Sequence, residues 1–356
     1  MRSTPGIVSL ACLALVTLAC APAAATPSAA GAPGPPAAAE PPAASPMAGG
    51  AGESAGPPPP PESIRIAYST TSLSFVSLFV AQDRGYYRQN GLEAELVQAT
   101  PQVAQAGMVN GDITFGMAFG SQVRGAARGL PVRVVEESVT APLLSLVARP
   151  EIKTIGDLRG RVIAVTTVGG NNSQTTTLLL RKHGVDPQSL QYVAAGDSPK
   201  QMELLRQGQA DAALVSPPWP YVGRREGMNV LANALDEIEL AFTGLGTSLD
   251  TLARRPDLVR RTIRAEIQAL RHMRAEREDT LRVFVDRFAM EPELAAQAYD
   301  MIIGAHTTDG AISRAGVENL LAIEKEEGAI PEHVGFDDVA ELGPLTEVQR
   351  AMGLAP

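Results

Sequence analysis

From Ser63 onward the chain alternates short apolar runs with amphipathic stretches, and this alternation limits its fold more than any other feature. SIRIAYS reads as a strand and LSFVSLFVAQDRGYYRQNG as a helix closed at Gly91. LEAELV, ITFGMA and VRVVEES read as further strands, separated by the helices PQVAQAGMVNG and SQVRGAARG. After Pro150 the pattern repeats as RVIAV, SQTTTLLLRKHG, LQYVA, PKQMELLRQG, DAALV, PWPYVGRREG and MNVLAN. Strands separated by helices of about ten to fifteen residues predict parallel sheets covered on both faces. The halves also echo one another. In NGDITFGMAFGS and in QGQADAALVSPPW a helix stops at Gly, an Asp precedes an apolar strand, and the strand exits into small residues. Two similar α/β lobes fit this pattern.

The last third is helical. In LARRPDLVRRTIRAEIQALRHMRAERED, Pro256 suits a first turn, and Val259, Ile263, Ile267, Leu270 and Met273 share one face. The arginines fall on the other face, which reads as solvated surface, with docking onto a partner protein as the rival reading. Further helices are expected at about 279–289, 293–303 and 314–326.

A chain of 356 residues is long enough for two domains of ~100–200 residues each. A net charge of −9 argues against a nucleic-acid partner, whose phosphates call for a basic face. With one tryptophan, Trp219, an aromatic stacking platform is not expected. Both cysteines, Cys12 and Cys20, lie near the N-terminus, so the folded part has no cysteine for zinc, iron–sulfur or nucleophilic chemistry. No metal site is expected.

The N-terminus itself reads as a targeting segment. Arg2 is followed by an uncharged stretch from Gly6 to Ala19, shorter than the ~20 residues of a membrane span and suited to a secretory signal. Thr17-Leu18-Ala19-Cys20 resembles the lipobox of bacterial lipoproteins, which implies lipidation at Cys20; Thr17 and Leu18 depart from the usual leucine followed by a small residue. The alternative is simple cleavage near Ala23-Ala24-Ala25. From Ala21 to Glu62 thirteen residues are proline and none is Lys or Arg, so this stretch cannot bury enough apolar surface to order itself. At ~3.1 Å per residue it is a tether with a reach of order 100 Å.

In parallel α/β sheets, ligands sit beyond the carboxyl ends of strands, against helix N-termini with free N–H groups. Five strand exits carry small polar residues: Thr70-Thr71-Ser72, Gly120-Ser121-Gln122, the stretch VGGNNSQTT, Gly196-Asp197-Ser198, and Ser216-Pro217-Pro218-Trp219. Any one of them could be a helix cap. A cap has no use for Asn171, Asn172, Ser173, Gln174 and Thr175 together, so a cradle shared by two lobes accounts better for the set. Catalytic patterns are absent: His183, His272, His306 and His333 are scattered, with a surface position as the default. Ser121 and Ser216 lack the G-x-S-x-G elbow, and Gly169-Gly170 is not a phosphate-binding loop. No enzyme signature and no cofactor are expected.

FVAQDRGYYRQNGLEAELV, NGDITFG, SLVARPEIKTIGDLRGRVIAVTTVGG, GQADAALVSPPW and EEGAIP, in this order, resemble the ABC-importer substrate-binding proteins of the sulfonate/taurine/nitrate/thiamine-pyrimidine-precursor group. The resemblance covers roughly residues 63 to 335. It implies a type II periplasmic-binding-protein fold, with residues 63–148 plus 246–335 as lobe 1, 149–245 as lobe 2, and 336–356 as a C-terminal tail. Two hinge crossings are expected near Ala148–Ile152 and Thr243–Thr247.

Carried over by position, the ligand contacts would be Thr70, Thr71, Ser72, Gly120, Ser121, Gln122 and Thr140 from lobe 1. Gly169, Asn171, Asn172, Ser173, Asp197, Ser216 and Trp219 would come from lobe 2. The resemblance implies a monomer that captures a small-molecule solute between its lobes and delivers it to an ABC permease, at the outer face of a membrane. No Arg or Lys lies in these stretches, Arg124 being one turn inside a helix, so an anion would be held by dipoles and hydrogen bonds, or the solute is neutral. Asp197 either recognises an amine or caps a helix, and Trp219 either stacks on a solute or packs under the hinge. A solute-sensing receptor of the same fold is a rival. The related pyrimidine-synthesising enzymes are disfavoured, because their cysteine-rich motif has no counterpart here.

Overall fold

The computed structural model describes residues 60–354; the signal segment, Cys20 and all but the end of the Pro-rich tether lie outside the described residues. The first lobe opens with β1 (Glu62–Tyr68), α1 (Val76–Asp83), α2 (Tyr86–Gln89), β2 (Leu92–Gln98), α3 (Pro101–Asn110), β3 (Phe115–Gly116), α4 (Phe119–Ala127) and β4 (Val132–Val134). The second consists of β5 (Ser145–Ala148), β6 (Val162–Val165), α5 (Asn171–Lys182), β7 (Gln191–Ala194), α6 (Ser198–Arg206), β8 (Ala212–Val215), α7 (Trp219–Arg225), β9 (Asn229–Asn233) and α8 (Ala234–Glu237). The chain then returns through β10 (Gly246–Ser248) to α9 (Leu249–Arg254), α10 (Pro256–Ala275), α11 (Arg277–Phe288), α12 (Pro292–Ile302), α13 (Arg314–Glu326) and α14 (Gly343–Ala351).

The sheets share one plan. The first has the strand order β2-β1-β3-β10-β4 and the second β7-β6-β8-β5-β9. β1 runs parallel to β2 and β3, and β6 parallel to β7 and β8. β10 is antiparallel to β3 and β4, and β5 antiparallel to β8 and β9. The expectation of wholly parallel sheets therefore fails at one strand per lobe. In each case that strand is the first after the chain changes lobe. A strand fed by a short crossing enters its sheet from the end where the other strands exit, which reverses its direction; only a helical crossover restores a parallel run.

This placement corrects the expected lobe boundaries. Ser145–Ala148 belongs to the second sheet, so the first crossing precedes Ser145 instead of following Ala148. The segment expected as a tail is part of the first lobe: Val134 bridges Ala340 in parallel, and α14 packs against α10, burying Leu345 and Val348. At the other end Glu62, expected as the last tether residue, begins β1 and pairs with Arg255 and Arg261, which lower its carboxyl pKa.

Helix patterns match their environments. α10 buries Val259, Ile263, Ile267, Leu270 and Met273 on one face while Arg271 and Arg274 stay exposed. β5 and β8 are buried at every position because helices cover both faces, whereas the edge strand β7 is largely exposed. Thr100 caps α3 by accepting from Val103 N, with Pro101 in the first turn. Ile263 is fully buried, and Ile263→Ala leaves a cavity as well as losing transfer energy. The expected cost is about 2–5 kcal/mol of unfolding free energy, measured by urea titration against the parent chain.

Candidate site in the interlobe cleft

One cavity lies where the carboxyl ends of both sheets face each other. Its walls come from the exit of β1 (Ser69 to Ser72, with Ser74 and Phe75), from Ala118 and Ser121 at the start of α4, and from Pro101. The opposite wall is Thr166, Thr167, Gly170, Asn171 and Asn172 after β6, Asp197 and Ser198 after β7, and Ser216 after β8. The crossings close it with Leu144, Phe242 and Thr243. The space for solvent centres is about 80 Å³, enough for roughly half a dozen waters at ~10–15 Å³ each.

Four helix starts meet there. Ser72 precedes the helical turn leading into α1, Ala118 precedes α4, Gly170 precedes α5 and Asp197 precedes α6. All four of these residues line the cavity, and none makes a side-chain capping bond. A fifth helix, α3, also begins at the wall with Pro101 but is capped by Thr100. Away from the cavity α9 and α13 are capped by Ser248 and Ser313, while α7, α10, α11, α12 and α14 are not capped. Uncapped first turns leave backbone N–H groups and the positive end of the helix dipole for whatever occupies the cleft. Among the described residues, no protein group bonds the side-chain hydroxyls of Thr70, Thr71 or Ser72.

The polar run after Gly169-Gly170 divides its work differently from the expectation that one member caps the helix. Asn172 Oδ1 accepts from Thr166 N at 3.3 Å and its Nδ2 donates to Leu214 O at 2.7 Å, tying the exit of β6 to β8. Thr175 and Thr176 donate back to the carbonyls of Asn171 and Asn172. Asn171 Oδ1 reaches across the cleft, accepting from Arg124 Nη2 at 2.7 Å and from Ser121 Oγ at 3.3 Å. Gln174 accepts from Arg124 as well. The N-cap position is Gly170, which has no side chain to offer.

Eight of the fourteen residues singled out line the cavity: Thr70, Thr71, Ser72, Ser121, Asn171, Asn172, Asp197 and Ser216. The other six lie elsewhere. Gln122 is buried with its amide laid across Gly116 and Gly246, where a Cβ on either glycine would collide with it. Thr140 hydrogen-bonds Ala305 O and lines a separate groove with Asp236 and Glu239. Trp219 packs beside Val147, Met202 and Val215 inside the second lobe, with the Arg206 guanidinium 6.0 Å from its ring centre. Ser173 is buried in α5 away from the lining, and Gly169 supplies a left-handed turn at φ +78°. Gly120 is a spacer: a Cβ there would stand 3.0 Å from Asn171 Oδ1 and 3.3 Å from Ala241 O.

Arg124 is the residue that sequence reasoning undervalued. It is buried behind Ser121 and bonded to it at 2.9 Å, with Glu324 at 3.9 Å on the far side. Burial lowers its pKa to about 10, so it remains charged at neutral pH. A positive charge thus stands one side chain behind the cavity wall. Asp197 is the carboxylate in the wall itself, with Lys200 Nζ 3.8 Å away. Leu144 and Phe242 give no sequence signal, and Thr243 is expected only at a hinge crossing and not in the wall; all three sit on crossings between elements.

Two buried acids flank the crossings. Glu136 accepts from Ser138 Oγ and Leu245 N, and Glu137 accepts from Ser313 N at 2.6 Å. Burial raises the Glu137 pKa to about 8 and pushes Glu136 up as well; Glu266, also raised by burial, sits at about 7. His306, expected at the surface, is buried between the first crossing and α12, and desolvation lowers its pKa to about 4. Among the described residues no group of three or more His, Cys, Asp or Glu is placed to hold a metal.

The two sheets and the cleft between them have the architecture of the periplasmic-binding-protein fold. The chain matches the NMT1/THI5-like family over residues 72–280, more than half its length, and it belongs to that family. It is 23% identical over 293 residues to the riboflavin-binding protein RibY of Chloroflexus aurantiacus, covering 80% of this chain and 78% of that one. Among solved structures, a protein from Bordetella bronchiseptica RB50 superimposes with a TM-score of 0.71 at 18% identity, over 82% of this chain and 98% of the other. The alkanesulfonate-binding protein SsuA of Xanthomonas axonopodis pv. citri, bound to MOPS, gives 0.66 at 18% identity, over 80% of this chain and 99% of its own.

Two outcomes follow for the side chains near the cleft. Asn172→Ala leaves Thr166 N and Leu214 O without their partner, and is expected to lower the unfolding free energy by about 1–3 kcal/mol in urea titration before any solute is added. For Glu137 the folded pKa is above the unfolded value of 4.5, so the folded state binds more protons between pH 4.5 and about 8. Its stabilising share is complete below 4.5 and is lost as pH rises through 8. Glu137→Gln should therefore flatten the fall in stability with rising pH across that window, as followed by thermal unfolding at a series of pH values.

Proposed function

We propose that this chain is an extracytoplasmic solute-binding lipoprotein: a small polar or anionic organic molecule is captured between the lobes and handed to an ABC permease. The observation that carries this reading is the convergence of four uncapped helix starts on one interlobe cavity, with the charged Arg124 directly behind its wall. Backbone N–H groups, hydroxyls and the Asn171 amide suit an acceptor-rich head group, and Phe75, Leu144 and Phe242 suit a short apolar body. A solute-binding role is consistent with the relatives, which include a riboflavin-binding protein and an alkanesulfonate-binding protein.

In this reading Cys20 carries the lipid, the Pro-rich segment is the tether, and the described lobes work as a monomer without cofactor or catalysis. The lobes are the units built on the two sheets, with the crossings at 135–144 and 238–245 as the hinge. Lobe closure then presents the loaded form to the permease. No helix among the described residues is long and apolar enough to cross a membrane.

The test is a thermal-shift screen of sulfonates, carboxylates, amines, pyrimidines and riboflavin on a form beginning after Cys20. One anionic or acceptor-rich class should raise the melting temperature while amines do not. A screen in which no compound shifts the transition overturns the binding reading, and a shift by amines alone moves the recognition to Asp197.

A further inference from the structure

We propose that Gln174 is a latch between the lobes, one that sets the closed population from outside the cavity. Gln174 lies on α5 of the second lobe and is not part of the cavity wall. Facing it in the first lobe, Arg124 on α4 and Glu324 on α13 are both buried, yet their nearest atoms stand 3.9 Å apart, too far for a direct hydrogen bond. The Gln174 amide fills that gap: Oε1 accepts from Arg124 Nη1 and Nε2 donates to Glu324 Oε1 at 3.1 Å. An amide dipole from one lobe is thus inserted, correctly oriented, into an ion pair of the other.

The arrangement is specific to contact between the lobes. Arg124 and Glu324 stay together in the first lobe, with Arg128 also on Glu324, whatever the second lobe does. When the lobes part, the pair loses the amide and must satisfy itself directly or with water. Gln174 therefore contributes two charge-assisted bonds only in the closed state. Because apparent affinity scales with the fraction of protein in the binding-competent form, a residue that never touches solute sets how tightly solute is held. Arg124 links the latch to the wall, since the same guanidinium bonds Ser121 and Asn171.

The charge arrangement provides a test with a sign. Gln174→Glu keeps the acceptor toward Arg124 but replaces the donor to Glu324 with a second carboxylate oxygen; a bond becomes a repulsion, and the lobes should open relative to the parent chain. Adding Glu324→Gln transfers the carboxylate to the second lobe, where it pairs with Arg124 across the cleft, and should close them again. Gln174→Ala should lower the closed-to-open ratio about tenfold. The reading is the distance distribution between spin labels at Gln102→Cys and Gln188→Cys, both exposed and one per lobe. The labelled chain carries Cys12→Ser and Cys20→Ser, which leaves the two labels unique.

Longer distances in the Gln174→Glu chain that revert in the double variant support the latch. Unchanged distances in Gln174→Glu and Gln174→Ala, or a double variant as open as the single one, overturn it. Urea titration of each variant separates a loss of folding from a loss of closure. The latch rests on the solute-binding reading only for what closure achieves. The distances are read in the protein alone, so a chain that binds none of the screened solutes defeats that reading and leaves the latch standing or falling by its own data.

Discussion

Val139 and Thr243 exchange backbone hydrogen bonds at the point where the chain passes between its sheets. The first segment is on its way out of the first lobe and the second on its way back, so the exchange fastens the two crossings to each other. Thr243 also donates its hydroxyl to Ser74 O, in the turn that leads from β1 to α1. The junction of the crossings is therefore bonded to the wall of the cavity. From that junction the antiparallel strands β5 and β10 carry each crossing into the interior of the opposite sheet, one strand in from its edge.

The helix starts depend on the same geometry. Parallel strands leave a sheet at one end, so the loops after β1, β3, β6, β7 and β8 gather there, and the helices that follow begin beside one another. On an open surface the N–H groups of an uncapped first turn are satisfied by water. Here they are collected in one cleft, with the charge of Arg124 behind them. The carboxylate of Asp197 is the counterweight within the wall, which gives the site polarity instead of a uniform positive field.

Most of the strands, the burial of the α10 face and the gathering of polar strand exits were legible because they are local: each needs only a hydrophobic period and a turn residue. The direction of β5 and β10 was not legible. Nothing in SLVA or GTS differs from a parallel strand; what reverses them is a connection too short to contain a helix. The role of Arg124 is not legible either, because position within a helix says nothing about which lobe lies across from it. The surplus of amides after Gly170 suggests a ligand cradle in the sequence, whereas its largest share in the structure is spent on bonds within the protein. Asn172 joins strands, Asn171 and Gln174 join lobes, and only part of what the sequence displayed lines the cavity.

Gln122 lies across Gly116 and Gly246, which face each other on neighbouring strands of the first sheet. A methyl group on either glycine collides with that amide, and a smaller side chain at 122 leaves a hole over both. These three positions, separated by up to 130 residues in sequence, therefore form a single unit of variation. Among descendants of this chain they should change in concert or stay fixed together, and such a pattern of joint change would mark the floor of the first lobe in sequences for which no structure exists.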